Sequence, residues 1–189
     1  MYFNQLHEKR GFMQRIFIGF SLPDNVKDHL RSQCHSLSTN WVKPENMHVT
    51  LCFLGEVDRV SYRTLLLELE QINLKKFTLK TKGIGYSKAK KGPRVIWAGI
   101  ERSKSIEQLK EQIDTVLEEL GINFDKREFH PHITLARPQD VLYDDFNKYL
   151  NAVDMNTEIE FAVESYQVFS SQNTEDGLSY TIEGQYQLS

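Results

Sequence analysis

The chain has 189 residues, enough for one well-filled core or two small lobes that share one. With 40% hydrophobic and 26% charged residues it has the composition of an ordinary globular protein, and a net charge of −3 excludes a bulk polyanion binder. Two cysteines without metal-type spacing, Cys34 and Cys52, argue against a disulfide framework and fit a reducing compartment. Met1–Gly11 holds no apolar signal core, and no apolar run approaches the ~20 residues of a membrane span, so a cytoplasmic protein without a membrane anchor is expected.

Residues 1–12 are polar and aperiodic and read as an N-terminal extension, with one domain over 13–189. Arg15–Phe20 reads as a strand, and Ser21-Leu22-Pro23-Asp24 as a capped helix start. Val26, Leu30, Cys34 and Leu37 follow at helical spacing. Residues 41–46 lead into a strand at His48 that Leu54-Gly55-Glu56 should end. Asp58–Ile72 reads as a helix, and Phe77–Ile84 and Val95–Ile100 as strands. The loop between those strands, Ser87–Arg94, is basic: from Lys75 through Arg94 there are eight basic residues and no acidic one. Ser105–Leu120 is the clearest helix, with Ile106, Leu109, Ile113, Val116, Leu117 and Leu120 on one stripe and Gly121 behind it. A second strand begins at His132 and ends at Arg137-Pro138. A helix over Leu142–Val153 and strands over Ile159–Ser170 and Leu178–Leu188 complete the chain. The halves repeat the order His strand, helix, long strand, loop, strand, which predicts an internal duplication with each lobe contributing one His strand.

Those strands carry the same tetrapeptide, His48-Val49-Thr50-Leu51 and His132-Ile133-Thr134-Leu135. Alternate side chains of a strand share a face. His48 and Thr50 therefore point one way, with Val49, Leu51 and Phe53 buried on the other; His132 and Thr134 repeat the arrangement. An isolated histidine such as His7, His29 or His35 is ordinarily just a hydrogen-bonded side chain. Two His-Thr pairs facing one cleft form an acid–base site of phosphate size. Imidazole titrates near neutrality, so one ring can take a proton from an attacking water or hydroxyl while the other gives one to the leaving oxygen. The threonine hydroxyls can bond the non-bridging oxygens. The scheme needs no metal and no cofactor.

The stretch Trp41–Gly55 resembles the first signature of the 2H phosphoesterases, above all their RNA 2′,3′-cyclic phosphodiesterase branch (LigT/ThpR-like), and Phe129–Arg137 resembles the second. Val95–Ile100 is similar to the strand between them, and the likeness spans roughly 13–189. The resemblance implies an α+β, bilobal duplicated fold with pseudo-twofold symmetry, two antiparallel sheets around a central cleft and flanking helices. It implies metal-independent opening of RNA terminal 2′,3′-cyclic phosphate to a 2′-phosphate, with 2′-5′ RNA ligation as a side or reverse activity. His48 is then the proton donor, His132 the acceptor, and Thr50 and Thr134 phosphate binders. Arg137 fits the second motif as a phosphate contact. Strict alternation would bury it beside Leu135, but Pro138 follows at once and parity need not hold. His130 shares parity with His132 and stands where the branch often has a basic residue, which makes it a candidate RNA contact. The loop residues Lys88, Lys90, Lys91 and Arg94 are candidates for the RNA backbone. RNA 3′ ends are the expected partner and a monomer the expected state.

Three alternatives stay open. His130-x-His132 could ligate zinc from one strand face. The chain could bind RNA ends without turning them over. Or it could be a 2H phosphodiesterase for another substrate, such as a 2′-5′ oligonucleotide or a cyclic nucleotide-type phosphodiester, since the His-x-Thr pairs handle only the phosphate.

Overall fold

The computed structural model describes residues 13–154, 158–174 and 177–189, so the N-terminal extension lies outside it. Its strands are β1 (Met13–Ser21), β2 (His48–Asp58), β3 (Phe77–Tyr86), β4 (Ile96–Ile100), β5 (His132–Ala136), β6 (Glu160–Val163), β7 (Ser165–Thr174) and β8 (Gly177–Gln187). Its helices are α1 (Asp24–Arg31), α2 (Arg59–Leu69), α3 (Lys104–Glu119) and α4 (Tyr143–Ala152), with a 3₁₀ turn at Pro44–Asn46 before β2. The strands pair antiparallel in the order β6-β3-β4-β5-β2-β1-β7-β8.

That order is a palindrome about the β5/β2 junction, where the two His strands meet. The junction is thin: Val49 and Ile133 are the one residue pair between β2 and β5. A second tie lies beside it, where the Val42 amide donates to the Leu135 carbonyl at 2.7 Å and Trp41 bridges Ala136. The two expected sheets are thus two four-stranded halves of one curled ladder. The palindrome pairs β4 with β1 and β3 with β7, so the repeated unit begins one strand before each His strand, earlier than the chain order suggests.

The stretch expected as one strand over 159–170 is two, broken at Glu164. β6 pairs with β3 in one half, whereas β7 pairs with β1 in the other, so the chain crosses between halves there. Helix α1 stops at Arg31, short of the expected Leu37, and Ser36 takes a left-handed φ of 58° that no helix continues through. Ser21 does not cap α1 either: it is the last residue of β1, and its amide donates to Gln167 at 2.9 Å. By contrast β2 outruns its expected end, carried through Gly55 at a φ of +75° to Asp58. The Asp58 carboxylate then caps α2, accepting from the Val60 and Ser61 amides at 2.9 and 3.2 Å.

The helices bury one face of the ladder. On α3 the side chains of Ile106, Leu109, Ile113 and Leu117 are fully buried, in the core that also holds Ile96, Ala98 and Ile100 of β4. Each such aliphatic side chain contributes about 1.5–3 kcal/mol relative to solvent. With one face sealed, the other is left for the site. Among the described residues no helix is long and apolar enough to cross a membrane.

Candidate active site

Both His strands carry the same irregularity one residue past their threonine. In β2, Gly19 pairs with Thr50 and Ile18 with Cys52, which leaves Leu51 without an opposite residue. In β5, Trp97 pairs with Thr134 and Ile96 with Ala136, which leaves Leu135 in the same state. An extra residue in one strand reverses the side-chain alternation beyond it. Accordingly Leu51 and Cys52 are both buried, as are Leu135 and Ala136. The next side chains turn to the other face. Phe53, expected in the core, is 47% exposed and lines the cleft. Arg137, which strict alternation would bury, lines it too. A second irregularity between Phe53 and Gly55 continues the bend of β2.

The cleft between the halves encloses about 1140 Å³ and is lined by His48, Thr50, His132, Thr134 and Arg137. Each imidazole is held by the same backbone device. His48 Nδ1 lies 2.7 Å from the carbonyl oxygen of Asn46, and His132 Nδ1 lies 2.7 Å from that of His130. A carbonyl only accepts, so each Nδ1 carries a proton and donates it, which leaves Nε2 as the working nitrogen of both rings. At His48 the Thr50 hydroxyl lies 3.1 Å from Nε2 and donates to it while the ring is neutral.

The surroundings of the two rings differ. His48 sits in an aromatic box: Phe17 at 4.8 Å between ring centroids, Tyr180 edge-on at 5.0 Å and Phe169 at 5.9 Å. Burial in that box lowers its pKa to about 4, opposed by the bond to the Asn46 carbonyl and helped by the positive charge of His132 and Arg137. The free ring is therefore neutral at pH 7. Among the described residues His132 has one aromatic neighbour, Trp97 at 5.8 Å and 59°.

Other proposed contacts lie elsewhere. His130 does not line the cleft; its side chain is exposed and sits 3.5 Å from Glu128. Lys88, Lys90, Lys91 and Arg94 are exposed and likewise stand outside the cleft lining. Among the described residues no three His, Cys, Asp or Glu side chains gather as a metal site, so the His130 and His132 pair lacks a third ligand there. The cleft instead recruits cations that motif reading missed: Arg15, Lys43 and Arg127. Arg127 forks onto Asp125, holding that carboxyl down to about 2. Arg15 and Phe17 alternate with Ile16 and Ile18 on β1, but the continuous apolar run there hides the alternation.

The chain matches the model of the LigT-like phosphoesterase family over residues 23–97 and 99–180. It is 33% identical over 177 residues to the RNA 2′,3′-cyclic phosphodiesterase of Thermotoga maritima, covering 89% of this chain and 92% of that one. It is 31% identical to the protein of the same name from Methanocaldococcus jannaschii, over 89% of this chain and 97% of that one. The crystal structure of E. coli LigT complexed with 3′-AMP shares the fold with a TM-score of 0.78 and 25% identity, over 94% and 99% of the two chains.

Proposed function

Because the chain belongs to the LigT-like phosphoesterases, we propose that it opens the 2′,3′-cyclic phosphate at RNA 3′ ends to a 2′-phosphate, the reaction for which its relatives are named. The reading is carried by one observation: two His-Thr pairs on strands meeting at a single residue pair, each ring pinned through Nδ1 so that Nε2 serves the same cleft. His132 takes a proton from water as its oxygen attacks phosphorus. The bond from phosphorus to O3′ breaks, and His48 gives its proton to that oxygen. Thr50, Thr134 and Arg137 hold the non-bridging oxygens and the charge that grows on them. Since His48 is neutral in the empty cleft, it gains its proton with the substrate, whose negative charge offsets the repulsion of His132 and Arg137. A 5′-hydroxyl in place of water would give a 2′-5′ linkage by the same steps. The two free cysteines fit action in the cytoplasm.

The test is turnover of a short RNA ending in a 2′,3′-cyclic phosphate in excess EDTA. A 2′-phosphate product is expected. Turnover only on adding zinc or manganese would overturn the metal-free scheme, and no turnover in either condition would overturn the substrate.

A further inference from the structure

The open face of the β6-β3-β4-β5 half continues outward from the cleft. Directly opposite residues of neighbouring strands share a face. Thr134 is opposite Trp97, and Trp97 is opposite Gly85. The indole rests on Gly85 so closely that a Cβ there would stand 2.4 Å from Trp97 Nε1, and the ring remains partly exposed. Past Trp97, β3 and β4 run into the basic loop. That loop is fixed. Gly92 and Pro93 are buried, and the Tyr143 hydroxyl accepts from the Ala89 amide at 3.2 Å and donates to the Ala89 carbonyl at 2.9 Å. What it displays is Lys88, Lys90, Lys91 and Arg94, all exposed and none with an ion-pair partner among the described residues. In a protein of net charge −3, four unpaired cations on an anchored loop are a local exception.

We propose that this face is a single-stranded RNA track: a base preceding the terminal nucleotide stacks on Trp97, and the phosphates before it lie on Lys88, Lys90, Lys91 and Arg94. This rests on the reading of the cleft as an RNA-end site. The direction is right, since β5 runs from His132, opposite Gly99, to Ala136, opposite Ile96, over roughly 13 Å at about 3.3 Å per residue, toward the end of β4 that joins the loop. The chemistry is also right: stacking on an indole tolerates any base, and lysines meet phosphates as point charges. The track would favour an RNA chain over a free cyclic nucleotide without reading its sequence.

The test is binding of the full-length protein to a fluorescein-labelled RNA octamer with a 3′-hydroxyl, followed by anisotropy across a salt series. No chemistry is needed, so the track and the reaction are scored apart. The variant K88Q/K90Q/K91Q/R94Q should bind at least about 10-fold more weakly, and its slope of log affinity against log salt should be shallower by about 3. Trp97→Ala should weaken binding about 5-fold or more, with Trp97→Phe restoring most of it. Unchanged affinity and slope in the loop variant would overturn the track, and displacement of the RNA by an oligoglutamate at equal concentration would reduce it to a generic anion surface. Octamer binding without turnover of a cyclic-phosphate end would instead count against the proposed reaction and leave the track standing.

Discussion

The two halves share a backbone plan and divide the labour through their side chains. Each offers a His, a Thr two residues on, a bulged Leu and then a residue turned into the cleft. In the His48 half that last residue is Phe53, and the ring stands among Phe17, Phe169 and Tyr180. In the His132 half it is Arg137, with Trp97 and a basic loop beyond. A duplicated backbone thus sets one histidine in an aromatic box and the other beside a single indole, with Arg137 just past the end of its own strand. An acid–base pair needs two groups of unlike environment, and here the difference comes from what surrounds each ring rather than from the rings themselves.

The most severe way to break the comparison is to remove either ring. His48→Ala and His132→Ala should each lower kcat about 10²–10⁴-fold in single-turnover assays, and the double variant should be little worse than the poorer single one. Near-additive losses would mean that the rings do not act as a pair. The desolvation of His48 has its own signature in stability. A histidine held at about 4 in the folded state and near 6.5 when unfolded contributes stability that is complete above pH 6.5 and lost as pH falls toward 4. Between pH 7.5 and 4.5 the wild type should lose about 2–3 kcal/mol more than His48→Gln in urea unfolding. A smaller effect separates the two bulge residues. Arg137→Gln should lower kcat/KM about 10- to 100-fold by removing a charged contact, whereas Phe53→Leu should change it less than about 3-fold. Equal losses would show that the cleft uses both positions alike. Smallest of all, Gly55→Ala forces a side chain into a φ of +75° where nothing crowds it, and should cost about 1 kcal/mol in the same unfolding assay.

Features set by neighbours in sequence were legible beforehand. The stripe of α3 and the β-branched His strands follow from spacing a few residues long. Both His-Thr pairs were legible because alternation holds up to the threonine. It fails one residue later, since the bulges at Leu51 and Leu135 depend on β1 and β4, which no local pattern announces. That is why Phe53 was assigned to the core and Arg137 could be placed only by setting strict alternation aside. The break at Glu164 was hidden for a related reason: β6 and β7 are both good strands, and only their partners reveal that they belong to different halves. The carbonyls of Asn46 and His130 that fix the rings, and the cations Arg15 and Arg127, enter through backbone geometry and loop placement.

The crossed strands also decide how this protein could be divided. A cut in the exposed loop between Lys90 and Lys91 would leave one piece holding β1, β2 and β3 and another holding β4 to β8, each with one His motif. Neither piece owns a complete half, because β1 needs β7 and β3 needs both β4 and β6. The cleft and its acid–base pair therefore belong to neither piece alone.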